Sequence, residues 1–169
     1  HIAQQSEKIE TIRNSSIVYL MSILEKINQE LNSDPKRILS DQAIDKIHNL
    51  SFSLRPYHQI SSDKKKHKTY KVSKNKISLE RGTLLLTLAK MKIDTGSFCK
   101  VKNRVPFSGA DLRGAKLTSL DLSQIDLRES VLKDAELSGV NFSSSELDKA
   151  TFWGAILNNA DLSNASIKN

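Results

Sequence analysis

The sequence predicts an α+β fold in which about three N-terminal helices lead into a short coil of β-structure. Two observations support this expectation. Residues 105–169 can be read in groups of five, with a large apolar residue at the centre of every group. Residues 1–104 lack that register but carry apolar stripes at helical spacing. We therefore divide the chain into a helical head, 1–104, and a repeat region, 105–169.

The repeat region contains thirteen consecutive groups of five. The thirteen centres are Phe107, Leu112, Leu117, Leu122, Leu127, Leu132, Leu137, Phe142, Leu147, Phe152, Leu157, Leu162 and Ile167. A period of five fits neither an α-helix nor a β-strand, but it suits a chain that turns a corner every five residues. Four corners make a square coil, and stacked coils can pair through main-chain hydrogen bonds about 4.8 Å apart. The centres are therefore the predicted core.

The clearest copies of the repeat are Ala110–Gly114 and Ala160–Asn164, in which Ala-Asp-Leu precedes two variable residues. This pattern resembles the pentapeptide-repeat family, whose signature is Ala-(Asp/Asn)-Leu-x-x. The resemblance implies a right-handed quadrilateral β-helix of about three coils for residues 105–169. It implies little about function, because function belongs to sites rather than to folds.

The first predicted helix runs from about Ile2 to Asn32, a stretch with no Gly or Pro. Its apolar stripe consists of Ile17, Leu20, Leu24, Ile27 and Leu31. Pro35 follows and cannot continue the helix. The stripe fits two arrangements, which are packing against the rest of the head and a dimeric coiled coil.

Two further helices are expected, over 41–54 and over about 78–92. Pro56 stops the first of them, and Ser78 is the expected cap of the second. The helix over 78–92 is apolar on most sides and should therefore be buried. An uncovered coil end would present unpaired main-chain groups. We therefore expect residues 78–104 to cap the N-terminal end of the coil.

Residues 57–77 are predicted to form a basic loop. Its lysines, with no acidic residue among them, are Lys64, Lys65, Lys66, Lys68, Lys71, Lys74 and Lys76. The loop could be a solvated linker, a contact with anionic lipid or a nucleic-acid site. Clustered lysines near an anionic bilayer gain roughly 1 kcal/mol each. Nucleic acid is the least favoured partner, since Tyr57 and Tyr70 supply only two stacking aromatics.

Charge is unevenly distributed along the chain. The head has 20 Lys and Arg against 10 Asp and Glu, and the repeat region has 6 against 9, which together give the net charge of +7. Some members of the resembled family mimic DNA and inhibit or protect DNA gyrase. That mimicry needs a strongly negative surface, so a regulator of such an enzyme is the alternative rather than the favoured function.

No catalytic motif stands out. The chain lacks a His-Glu-x-x-His zinc motif, a phosphate-binding Gly loop and a Gly-x-Ser-x-Gly elbow. Its single cysteine, Cys99, excludes an internal disulfide and is expected to be a buried thiol. We predict a protein that is not an enzyme and needs no cofactor or metal. Trp153 should point outward, where it could bind a partner or be an ordinary exposed side chain.

The order of segments also resembles bacterial membrane-anchored pentapeptide-repeat proteins. The resemblance rests on Leu50–Tyr57 and on Ser78–Gly82 with the leucines that follow. It implies a location at the cytoplasmic face of a membrane, with an anchor outside this sequence, which opens on His1. We expect a non-catalytic scaffold for protein interactions. Its partner would be another protein, or a second copy bound through the first helix or the coil end.

Overall fold

The computed structural model describes residues 2–63 and 69–168. Before the repeat region it contains four helices and a two-stranded sheet. These elements are α1 (Ile2–Ser33), α2 (Asp41–Ser53), β1 (Tyr57–Asp63), β2 (Thr69–Ile77), α3 (Leu79–Lys90) and α4 (Thr95–Arg104). The sheet and the fourth helix differ from the sequence-based expectation.

The helices of the head pack around one core. The stripe of α1 faces inward, with Leu20 and Leu31 fully buried, and α1 contacts both α2 and α3. From α2, Ile44 and Ile47 are fully buried in the same cluster. Intramolecular packing covers the stripe of α1, which supports the first of the two arrangements. A dimer through the first helix stays a prediction.

Residues 57–63 and 69–77 form the two strands of a β-hairpin, which corrects the prediction of a loop over 57–77. β1 and β2 pair antiparallel, with Tyr57 opposite Ile77 and Ser62 opposite Tyr70. β-branched and aromatic residues between the lysines favour strands, and the lysines hid that pattern. Residues 64–68, between the two strands in sequence, lie outside the described residues.

Helix α4 was missed because its sequence is weakly apolar and contains Gly96. Its start signal is Asp94, whose carboxylate accepts hydrogen bonds from the backbone N–H groups of Gly96 and Ser97. Hydrogen bonding from the Ser97 side chain, together with that from the backbone N–H groups of Ser97 and Gly96, lowers the pKa of Asp94. An aspartate at this position satisfies amide groups that have no partner within the helix, so the cap was readable from the sequence.

The repeat region is a β-helix. Parallel bridges join residues twenty positions apart, such as Asp111 with Val131 and Val131 with Thr151. The hydrogen bonds run in both directions: the Val131 amide donates to Ala110 at 2.9 Å and the Leu132 amide donates to Thr151 at 2.8 Å. This spacing agrees with four groups of five per coil. The handedness and the number of coils stay predictions.

Candidate functional site

Helix α3 lies on the first coil, and main-chain hydrogen bonds join the two. The Ser78 amide donates to the Gly109 carbonyl at 2.7 Å, and the Asp111 amide donates to the Ser78 carbonyl at 2.9 Å. Ser78 thus makes a parallel bridge with Ala110, as a residue of a preceding coil would. Its hydroxyl also caps α3 by accepting from the Arg81 amide.

A buried arginine connects this junction to α2. The Arg81 guanidinium donates to the Ser108 carbonyl at 2.7 Å and to the Ser51 carbonyl at 3.2 Å. Burial lowers the pKa of Arg81. Because its donors are directed at main-chain carbonyls of α2 and the coil, Arg81 holds elements together rather than forming an open reactive group.

A buried glutamate ties α1 and the hairpin to α3. Glu80 accepts hydrogen bonds from the Arg13 guanidinium and from the Tyr57 hydroxyl, each at 3.2 Å. Burial, reinforced by the charge of Glu80, raises the pKa of Tyr57 to about 12. The tyrosine therefore remains a neutral hydrogen-bond donor at physiological pH, and it fixes the root of β1.

Lys102 anchors α4 to the coil in a similar way. Its side chain is only 1% exposed, and its ammonium donates to the Asp121 carbonyl at 2.9 Å. The same ammonium lies 3.1 Å from the Asp121 carboxylate and donates to the Ser123 hydroxyl. A buried lysine with these partners is satisfied, which favours a structural role over a chemical one.

The lysines predicted to contact an anionic surface fall into two groups. Lys74 and Lys76 are exposed on β2 near the root of the hairpin. Lys71 pairs with Ser61 along the main chain, but its side chain is not among those described. Lys64, Lys65, Lys66 and Lys68 lie outside the described residues, so the structure leaves their predicted role untested.

Trp153 stands on the wall of the coil with its side chain 72% exposed. The ammonium of Lys133, twenty residues earlier on the same ladder, lies 4.4 Å from the centroid of the indole ring. Around the next corner Ile156 is also exposed. The wall thus carries an aromatic side chain with a cation stacked on it.

Comparison with known proteins identifies the repeat. The family model described as pentapeptide repeats matches residues 107–143 and 135–169, with eight copies. Residues 107–169 are pentapeptide repeats. The match confirms the resemblance stated for this part of the chain, and together with the bridges it makes the fold a pentapeptide-repeat β-helix.

Solved pentapeptide-repeat structures are similar over part of the chain. The crystal structure of alr5209, a pentapeptide repeat protein from Nostoc Pcc 7120, is 25% identical, with a TM-score of 0.17, over 37% of this chain and 64% of that one. QnrB1, a plasmid-mediated fluoroquinolone resistance protein, is 15% identical, with a TM-score of 0.16, over 40% of each chain. The chain thus spans less than two thirds of either structure. No curated protein matches it.

The last described coil of the pentapeptide-repeat domain exposes part of its interior. Phe152, Leu157 and Leu162 are partly exposed, whereas the centres of the preceding coil are buried, and Ile167 is 52% exposed. Backbone amides of that preceding coil donate to carbonyls of the last coil, as the Phe142 amide does to the Asp161 carbonyl at 2.7 Å. The coil end is therefore the second candidate surface for association.

The described part of the chain shows neither a metal-binding cluster nor a membrane-spanning helix. Over residues 2–63 and 69–168, no group of three or more His, Cys, Asp or Glu side chains could hold a metal ion. Nor does any described helix have the length and apolarity needed to cross a bilayer.

Cys99 is exposed rather than buried, because α4 turns Ser97 and Val101 inward instead.

Proposed function

We propose that this chain is a non-catalytic interaction module at the cytoplasmic face of a bacterial membrane. Its β-helix, right-handed and about three coils long, presents a protein-binding wall, and its basic hairpin contacts anionic lipid. The observation that carries the proposal is the exposed Trp153 with Lys133 stacked on its ring. The positive charge of the head agrees with a location beside an anionic surface.

The wall around Trp153 suits a binding site because it is held in place before any partner arrives. The Asp134 amide donates to the Trp153 carbonyl at 2.9 Å, so the main chain at the tryptophan is part of the coil ladder. The cation–π contact with Lys133 orients the ring and is worth about 0.5–1 kcal/mol at an exposed site. Preorganisation lowers the entropic cost of binding, and tryptophan is enriched among binding hot spots.

Replacing Trp153 by alanine should weaken partner binding without unfolding the coil. A hot-spot side chain contributes at least about 2 kcal/mol, so affinity should fall by roughly thirtyfold. The unfolding free energy should change by less than about 1 kcal/mol, because the side chain is largely exposed. The measurement is quantitative cross-linking in cells, comparing wild type with Trp153→Ala.

Thr151→Ala is the matched control, because Thr151 is also exposed and lies two residues before Trp153 on the same wall. A cross-linked protein kept by Thr151→Ala and lost from Trp153→Ala supports the proposal. Equal recovery of every cross-linked protein from both variants would reject the wall as the binding surface.

Changing Lys64, Lys65, Lys66 and Lys68 to Gln should abolish binding to anionic vesicles. Each lysine near such a surface contributes roughly 1 kcal/mol, so four of them account for about a thousandfold in affinity. Co-sedimentation should show wild-type protein with anionic vesicles and not with neutral ones. The variant should remain in the supernatant with both.

The control for this experiment removes the same charge from elsewhere on the protein. Its four substitutions, all at exposed positions of the described chain, are Lys36→Gln, Lys46→Gln, Lys90→Gln and Lys116→Gln. This variant should sediment as wild type does. If both variants lose binding equally, net charge rather than the hairpin is responsible.

A further inference from the structure

Two cavities meet at the root of the hairpin. One, of about 540 Å³, lies where β2 faces the coil. The other, of about 500 Å³, lies between the hairpin and α1. His58 and Lys76 line both cavities, so the two adjoin along this pair of residues. Each volume falls in the range of about 300–1,000 Å³ that ligand pockets occupy.

An irregularity in the hairpin shapes the first cavity. His58 pairs with Lys76, but the next pair is Ile60 with Val72. One residue of β1 therefore lies opposite three residues of β2, which are 73–75. A bulge of this kind bends the strand and redirects side chains.

Hydrogen bonds hold the bulge in one conformation. The Gln59 amide donates to the Ser73 hydroxyl, and that hydroxyl donates to the Asn75 carbonyl, each at 2.8 Å. The His58 Nδ1 donates to the Ser73 carbonyl at 2.8 Å. Because Ser73 is held from three directions, Lys74 and Asn75 line the cavity on a fixed backbone.

The first cavity is a basic cleft. Lys74 and Lys76 of the hairpin line it together with Lys149, which comes from a corner of the coil. Among the described residues of its lining, Glu129 is the single acidic one. Among the described ion pairs, none involves these three lysines. Ammonium groups gathered around one cleft attract a compact anion such as a phosphate.

The second cavity is an apolar groove with basic residues in its lining. Its apolar lining comes from Ile9, Ile12, Pro56, Ile60 and Val72. Ile12 of α1 and Val72 of β2 are 58% and 54% exposed, so the packing of the helix beside the hairpin leaves both side chains largely uncovered. Covering large aliphatic side chains that are exposed along a groove with an apolar group lowers the free energy, because apolar surface is removed from water.

We infer that these adjoining cavities form a site for one anionic phospholipid, with its phosphate in the basic cleft and an acyl chain in the apolar groove. The charge pattern decides the ligand class. A zwitterionic phospholipid would bring a choline cation close to the lysines of the cleft, and a free phosphate would leave the groove exposed to water. The inference rests on the proposed membrane contact and specifies it. It adds Lys149, which lies on the coil rather than in the hairpin, to the residues that contact the lipid.

The test is calorimetric titration of the whole chain with dihexanoyl phosphatidic acid below its micellar concentration. We expect saturable binding of one lipid per chain. Dihexanoyl phosphatidylcholine tests the charge and glycerol phosphate tests the acyl chain, and both should bind at least about tenfold more weakly. Equal affinity for either comparator, or no saturable binding of the anionic lipid, would overturn the inference.

Variants test each cavity separately. Lys149→Gln removes a charge of the cleft, and Ile12→Ser combined with Val72→Ser removes apolar surface from the groove. Each should weaken binding of the anionic lipid about tenfold. Unchanged affinity for the anionic lipid in either variant would overturn the proposed site.

Matched controls lie outside both cavities. Lys116→Gln replaces an exposed lysine of the coil, and Val18→Ser with Met21→Ser replaces exposed apolar residues of α1. These variants should bind the lipid as wild type does, and a thermal melt of every variant verifies folding. An equal loss of affinity in the controls and the cavity variants would also overturn the inference.

The site and the proposed membrane contact can fail separately. Suppose that anionic vesicles bind wild type and Lys149→Gln equally and that the short-chain lipid does not bind. The proposed contact between the hairpin and the membrane would then stand, and the lipid site would be overturned. Binding of the short-chain lipid without sedimentation on vesicles would support the site and reject the membrane contact.

Discussion

Replacing Gly82 by alanine should lower the free energy of unfolding by about 3 kcal/mol, although alanine is the better helix former. A Cβ atom at position 82 would lie 2.0 Å from the Asp111 carbonyl oxygen and 2.8 Å from its carbonyl carbon. Both are backbone atoms, so no change of rotamer relieves the clash. Helix α3 would have to move off the first coil, which would break the bridge from Ser78 to Ala110.

The control is Gly96→Ala in α4. There the nearest atom to a new Cβ is a carboxylate oxygen of Asp94, at 3.2 Å, and a side-chain end can move. We expect a change within about 0.5 kcal/mol. Urea denaturation of both variants gives the comparison, and a Gly82→Ala variant as stable as Gly96→Ala would mean that α3 does not approach the coil this closely.

The core of the repeat region was readable from the sequence because every group of five has the same surroundings. The centres from Phe107 to Leu147 are buried. Once the coil of twenty residues is inferred, the stacking of Lys133 on Trp153 also follows, since the two residues are twenty apart. The outward direction of Trp153 was predicted, but its cationic neighbour was not.

The backbone at the corners was not predicted. The residue two positions after a centre has a positive φ, as in Gly114 at 64°, Gln124 at 61° and Lys149 at 58°. For residues other than glycine this conformation costs roughly 1–2 kcal/mol, and the coil ladder offsets it, as in the bond from the Gln124 amide to Ser143. Glycines at the same position of other repeats, such as Gly114 and Gly139, were the sequence feature that indicated a positive φ there.

The candidate lipid site could not be predicted because its parts are distant in sequence. Lys74 and Lys149 meet only because α3 and its buried partners set the hairpin beside the coil. The hairpin itself was hidden by its lysines, and the bulge at residues 73–75 has no established sequence signature. Local patterns report local structure, whereas this cleft depends on tertiary packing.

Replacing Phe142 by alanine should lower the free energy of unfolding by about 3–5 kcal/mol, the range for a fully buried phenylalanine. Phe142 lies on a ladder between Leu122 and Leu162, so the substitution leaves a cavity that the rigid coil cannot close. Phe152→Ala should have less than half of this effect, because Phe152 is partly exposed in the last described coil. Urea denaturation of the two variants measures the difference.

The same pair of variants tests whether a second copy covers the coil end. A self-associated protein would bury Phe152, so Phe152→Ala would become nearly as destabilising as Phe142→Ala at high protein concentration. Dilution would then restore the difference, because association stabilises the folded state by mass action. A difference that does not vary with concentration, together with a monomer in sedimentation velocity, would exclude the coil end as a self-association surface and leave the wall around Trp153 as the proposed binding surface.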